Sequence, residues 1–216
     1  MQQVLSRASA REIPRGAILF RQAEPAREMF LLESGRVRLN ELSADGDDVL
    51  VRLVVPVELF GGRAAFAGAK YGGSARTDQA SRVISWTSTT TQELLKGVPQ
   101  LASNLAAIVA RYLHYSRERY QLLMTGRVER RVAWALTDLS RSIGRREKIA
   151  TVIQGAAIQK DVADLAGTTI YSVSRVLGEL QRRGILTKER GRILLLGEEE
   201  LASMAQYIAI SASGLE

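Results

Sequence analysis

The side chains best placed to do chemistry lie between residues 158 and 192. The run Thr168-Thr169-Ile170-Tyr171-Ser172-Val173-Ser174-Arg175 offers hydroxyls, an aromatic ring and a guanidinium at helical spacing. That set suits hydrogen bonding to a nucleic acid rather than bond breaking. Arg175 can bond O6 and N7 of a guanine together, worth about 1–3 kcal/mol of discrimination. Ser174 can reach a base edge or a phosphate, and Tyr171 a thymine methyl or a phosphate. Thr168 and Thr169 can hold a phosphate through their hydroxyls and the helix N-terminus, with Ile170 on the same face. Further on, Lys188-Glu189-Arg190-Gly191 places Lys188 and Arg190 at a turn where they can touch the phosphate backbone.

The rest of the inventory narrows the alternatives. The chain has no cysteine and one histidine, His114. Disulfides, thiol catalysis and iron–sulfur clusters on cysteines are therefore excluded, and so is a histidine-rich metal site. No metal site is expected. An enzyme built on a metal-holding roll would lack its ligands, so no enzymatic activity is expected. Positive charge gathers where the DNA-reading run falls: residues 125–192 carry 14 Lys or Arg against 7 Asp or Glu. No apolar run is long enough to span a bilayer, and Met1 to Arg7 do not read as a secretory leader. A cytoplasmic protein with no membrane partner is the expectation.

The elements that must position these residues are legible in outline. Val162, Leu165 and Ala166 form the buried side of a short first helix, with Ala163 small enough for close approach. Gly167 suits a tight turn, and Thr168 or Thr169 caps a second helix. On that helix Val173, Val176, Leu177 and Leu180 form one stripe, while Ile170, Tyr171, Ser174, Arg175 and Gly178 lie opposite. Residues 185–187 and 192–196 read as two strands flanking the turn. Together these make a winged helix-turn-helix, whose second helix enters the major groove. A helix from Arg127 to about Ile143 precedes it, with Arg141, Arg145, Arg146 and Lys148 read as capping its C-terminus. A terminal helix covers 198–207.

Upstream, residues 11–96 read as short strands separated by turns, among them 17–20, 29–32, 36–39, 49–54 and 82–86. Asp45-Gly46 is a hairpin signal, and residues 92–95 form a short helical turn. This pattern predicts an antiparallel roll. From Pro99 to Met124 the chain reads as one helix with two apolar stripes. Leu101, Leu105, Ile108, Tyr112, Tyr115, Arg119 and Leu122 alternate at spacings of four and three, which predicts a coiled-coil dimer seam. The second stripe, Ala102, Ala106, Val109, Leu113, Tyr120 and Leu123, is expected to lie against the roll. A monomer burying both stripes in its own core is the alternative. Thr125-Gly126 ends the helix and is a candidate hinge. The fold class is thus α+β: a jelly-roll-like β-roll over 1–98, a dimerisation helix over 99–124 and a winged helix-turn-helix over 125–216.

Taken together, these segments resemble the CRP/FNR superfamily over almost the whole chain. The resemblance is carried by the glycine-punctuated roll, by Leu59-Phe60-Gly61-Gly62-Arg63-Ala64-Ala65-Phe66, by the long helix, by Thr125-Gly126-Arg127-Val128 and by the helix-turn-helix. It implies a homodimeric transcription regulator, an activator in many members, that binds a palindromic operator and recruits or blocks RNA polymerase. It also implies an effector pocket, which would fall on Gly61, Gly62, Arg63, Ser74, Arg76 and Tyr112. Cyclic-nucleotide binders of the family carry Gly-Glu and Arg-Ser there, whereas this chain has Gly61-Gly62 and then Gly72-Gly73-Ser74-Ala75-Arg76, with the arginine not at its expected place. Tyr112 and Leu113 stand where cAMP receptors offer paired hydroxyls. cAMP is therefore not the expected effector, and Arg76 and Arg63 are the arginines left to substitute. Tyr171 replaces the recognition-helix glutamate of FNR-type members, so the cytosine-reading carboxylate is missing. Two alternatives stay open: a haem-dependent gas sensor ligated by His114, and a cyclic-nucleotide-binding regulatory module. With no effector assigned, the protein can also be constitutively competent.

Overall fold

Between residues 9 and 87 short runs rich in apolar and β-branched residues, divided by turns, form eight strands. After a short helix α1 (Gln2–Leu5) come β1 (Ser9–Ile13), β2 (Ile18–Phe20), β3 (Glu28–Ser34), β4 (Val37–Leu42), β5 (Asp48–Val54), β6 (Leu59–Phe60), β7 (Ser74–Thr77) and β8 (Ser81–Thr87). The structure is a computed structural model and describes residues 2–66, 68–155 and 157–205. The strands form two antiparallel four-stranded sheets, in the orders β1-β8-β3-β6 and β2-β7-β4-β5. Their inner faces meet in a core that includes Phe20, Phe30, Leu32, Val37, Val54, Phe60 and Val83. Phe20 stacks on Tyr71 with ring centroids 3.8 Å apart, and Phe30 on Phe60 at 5.1 Å. The Tyr71 hydroxyl donates to the Glu28 carbonyl at 2.8 Å, and burial pushes its phenol pKa up.

The five expected strands and the Asp45-Gly46 hairpin are present, with Leu42 paired to Asp48 across the turn. β1, β6 and β7 were not foreseen. β7 follows Gly72-Gly73, a pair that reads as loop. A Cβ on Gly73 would lie 2.6 Å from the Asn40 carbonyl oxygen, so the glycine serves close approach of β7 to β4. The helical turn expected at 92–95 is a longer helix, α2 (Ser88–Gly97). Thr87 caps it by accepting the Thr90 N–H at 3.1 Å, which offsets the weak helix propensity of the Ser-Thr-Thr-Thr start.

Helix α3 (Pro99–Thr125) is continuous, and the chain divides into two compact units after Arg117 within it. No helix among the described residues is long and apolar enough to cross a membrane. The first of the two stripes of α3 is the one its own chain covers, and most of the second is exposed. Of the residues assigned to a dimer seam, Leu101 and Leu105 pack against the roll core, and Tyr112 donates to the Leu59 carbonyl at 3.3 Å. The Arg52 guanidinium lies 4.4 Å over the Tyr112 ring. Leu122 is buried, and Arg119 sits over Trp134 while donating to the Asp164 carbonyl at 3.2 Å. Ile108 and Tyr115 are half-buried on the same side. The stripe expected to lie on the roll is the open one instead: Val109, Leu113 and Tyr120, with Met124, are all exposed. Periodicity shows that a helix has two apolar faces; it does not say which face its own chain covers.

The second unit contains α4 (Val128–Ile143), β9 (Arg145–Glu147), β10 (Ala150–Gln154), α5 (Ile158–Ala166), α6 (Ile170–Arg182), β11 (Leu186–Glu189), β12 (Arg192–Leu195) and α7 (Glu198–Ala205). The last two residues of the expected 198–207 helix lie outside the described residues. The wing sheet has four strands in the order β11-β12-β10-β9. Of the basic cluster read as a helix cap, Arg141 does lie in the last turn of α4, whereas Arg145 and Arg146 lie on strand β9, with Arg146 paired to Thr151, and Lys148 follows that strand. Gly144 ends α4, its N–H bonding the Ser140 carbonyl at 2.9 Å. β10 has β12 on its other side, so β9 completes its backbone pairing. The Glu198 carboxylate accepts from Arg146 Nη1 and Thr151 Oγ1, both at 2.6 Å, and ties α7 to this sheet.

Candidate nucleic-acid interface

A helix-turn-helix works only if the turn is sharp and the second helix is held on one side while the other side stays open. Gly167 supplies the turn at φ 57 and ψ 48, in the left-handed region that β-carbon sterics deny most residues. A Cβ there would also sit 2.7 Å from Leu123 Cδ2. The Thr168 N–H returns to the Ala163 carbonyl at 3.0 Å, closing the end of α5. Thr169 is the N-cap of α6: its hydroxyl oxygen accepts the Ser172 N–H at 3.1 Å. That hydroxyl is therefore committed to the helix, and its own proton goes to Ser172 Oγ. Thr168 is half-buried.

Val173, Val176, Leu177 and Leu180 are each almost fully buried. Such side chains contribute roughly 1.5–3 kcal/mol apiece on burial, so the rotational setting of α6 is firmly fixed. The opposite face is open. Ile170 and Tyr171 are exposed, Tyr171 to 82%, and Ser174 and Arg175 are exposed beside them. All four project from the first two turns, where the uncapped N–H groups and the positive end of the helix dipole lie. The C-terminal half of α6 is different: Arg182 pairs with Glu179, and Arg183 with Glu200. Its charges are already matched, so it adds little pull on phosphate.

One contact was not legible in the sequence. Arg175 Nη2 lies 3.3 Å from Glu129 Oε1 on α4, in a pair whose side chains are 63% and 48% exposed. Glu129 is separated from Arg175 by 46 residues, and no local pattern links them. In the wing, Lys188 is half-buried on β11 and Arg190 is exposed at the turn. Neither has an ion pair among the described residues. Arg192 is occupied by Glu147 at 3.0 Å and by Glu189 at 3.6 Å.

The six residues on which the resemblance places an effector pocket lie on three different elements. Gly61, at φ 68, starts a 3-10 turn over Gly62–Ala65, and a Cβ on it would come within 3.0 Å of the Glu28 carbonyl oxygen. Arg63 donates to the Lys70 carbonyl at 3.4 Å. Ala75 is in the core, so Ser74 and Arg76 point outward by strand alternation. They border a groove of about 430 Å³ with Arg21, Arg38 and Asn40. Tyr112 lines a separate cavity. The six residues are thus split between the 3-10 turn, an outer groove and α3. Gly62 follows Gly61 where the resemblance calls for a carboxylate, the segment Gly72 to Arg76 lacks the arginine at its expected place, and Gly73 has no room for a side chain. These residues do not fit a cyclic nucleotide held in the family manner. His114 is exposed and borders neither of these two cavities. Among the described residues no group of three or more His, Cys, Asp or Glu could hold a metal ion.

Comparison with known proteins agrees with this architecture. Residues 10–97 match the cyclic nucleotide-binding domain family, and residues 130–204 the Crp-like helix-turn-helix domain family. The chain is 30% identical over 189 residues to the cyclic AMP receptor protein of Thermus thermophilus, covering 88% of this chain and 84% of that one. It is 26% identical over 195 residues to the CRP-like cAMP-activated global transcriptional regulator of Mycobacterium tuberculosis, covering 90% and 87%. The crystal structure of a CRP-family transcriptional regulator from Thermus thermophilus superposes with a TM-score of 0.75 at 25% identity, over 91% of this chain and 97% of that one. With a roll of two antiparallel sheets, a winged helix-turn-helix and relatives matched over nearly their full lengths, the chain belongs to the CRP/FNR family of DNA-binding transcription regulators.

Proposed function

We propose that this regulator binds a palindromic operator as a homodimer, that Arg175 reads a guanine in each half-site, and that binding needs no cyclic nucleotide. The carrying observation is the open face of α6, where Tyr171, Ser174 and Arg175 are exposed above a fully buried stripe. Two such helices related by a two-fold axis read half-sites one DNA turn apart, about 34 Å. The exposed stripe of Val109, Leu113, Tyr120 and Met124 supports α3 as the dimer surface, in place of the seam first expected. Lys188 and Arg190 hold phosphates at the flanks. The missing carboxylate at Gly62 and the arginine missing from its expected place support independence from cyclic nucleotides. Once bound, the dimer recruits or blocks RNA polymerase.

Selection from a random DNA pool with purified, additive-free protein tests this reading. Enrichment of a palindrome with a guanine at matched positions, lost in Arg175→Ala, is the expected result. Enrichment only when cAMP is added would overturn the effector-independent part. Enrichment of a non-palindromic site would overturn the dimer.

A further inference from the structure

We propose that the roll carries a second, apolar site for an amphipathic anion, a flat or chain-like hydrocarbon body ending in a carboxylate or sulfonate held by Arg111. The site is a cavity of about 920 Å³ between the roll and the first half of α3. That falls within the roughly 300–1,000 Å³ of small-molecule sites. Its walls are Leu31, Leu59, Trp86, Leu101, Ile108 and Tyr112, closed at one side by Val4 and Leu5 of α1. It is distinct from the polar groove at Ser74 and Arg76, and no residue borders both.

Two observations give the occupant its chemistry. Along α3 the apolar row is flanked by a polar one, Gln100, Asn104 and Arg111, also bordering the cavity. Gln100 donates to Asn104 at 3.0 Å, so these amides already satisfy one another in part. Arg111 is exposed and has no ion pair among the described residues. The one carboxylate on the lining, Glu58, lies 3.6 Å from Arg52. Arg111 is therefore the one cation on the lining and has no ion pair among the described residues, which favours an anionic head group.

The second observation is Val57. It holds φ 73, a strained conformation for a β-branched residue. Its N–H is fixed to the Leu32 carbonyl at 2.8 Å, and its side chain is 84% exposed on the cavity lining. A glycine would relieve the strain. An exposed isopropyl group kept at that cost supplies apolar contact to whatever enters the cavity.

The chain has two tryptophans, and Trp86 lies on the cavity wall. In full-length protein with Trp134→Phe, Trp86 becomes the sole indole reporter. Titration with 1-anilinonaphthalene-8-sulfonate should saturate at one dye per chain and quench Trp86. Dodecanoate should displace the dye about tenfold more tightly than dodecanol, and Arg111→Ala should erase that preference. Val57→Gly should weaken both probes without lowering the melting temperature. Unchanged Trp86 emission at saturating dye, or equal competition by dodecanoate and dodecanol, would overturn the proposal. So would a Leu101→Trp protein that stays folded and binds the dye as before. If Leu101→Trp changes the oligomeric state while Trp86 ignores the dye, the face belongs to a second copy and the proposal fails. DNA binding is read separately, without amphiphile, so failure here leaves the regulator reading untouched.

Discussion

On α6, Tyr171, Ser174 and Arg175 leave one helix within two turns, above a stripe that is nearly all buried. In the roll, the residues expected to form one pocket sit on a 3-10 turn, on the outer face of β7 and on α3. Arg175 and Arg76 make the contrast concrete. Both are exposed arginines, yet the first is placed by a capped helix on a fixed hydrophobic base, and the second borders a groove shared with Arg21 and Arg38. A site carried by one helix is specified by local spacing. A site carried by a 3-10 turn, a strand and a distant helix is specified by register and packing, which one sequence reports poorly.

That contrast can be broken from either side. The largest effect is expected at the turn. Gly167→Val forces a β-branched residue into the left-handed region against Leu123. It should destabilise the protein by about 2 kcal/mol or more and abolish DNA binding, as read by chemical denaturation and fluorescence anisotropy. Next comes the wing. Lys188→Ala with Arg190→Ala should weaken binding to all sequences alike and lower the slope of log K against log salt by about 1 per lost phosphate contact in each subunit. A change in sequence preference instead would place these residues among the base readers. Glu129→Gln should act in the opposite sense. It frees Arg175 from a half-exposed pair worth at most about 1 kcal/mol, so DNA affinity should rise a few-fold. Weaker binding would mean that Glu129 positions Arg175 rather than competing with DNA for it. The smallest effect is expected in the roll, where Arg76→Ala should leave additive-free operator binding within about twofold, as for an ordinary surface change. A larger loss would show that the outer groove feeds the DNA-binding state.

What was legible follows the same line. The faces of α6, the Gly167 turn, the Thr169 cap and the start of α4 are all set by residues within a turn or two of each other, and the structure has each of them. β10 was missed although Ala150-Thr151-Val152-Ile153-Gln154 is a β-branched run. The adjacent arginines of β9 were given to a helix end because a charge run suits both contexts. Both stripes of α3 are legible, but which of them its own chain covers depends on what the roll presents. The Arg175–Glu129 pair and the cavity beside Trp86 had no local signal at all.

The central claim is that Arg175 reads a guanine. A double-mutant cycle tests it most directly, with wild-type and Arg175→Ala protein each titrated against the selected operator and against one with the half-site guanine replaced by adenine. The account predicts that the replacement costs wild-type protein about 1–3 kcal/mol per half-site and costs the alanine variant almost nothing. Equal penalties in both proteins would contradict it and move guanine reading to another side chain on α6.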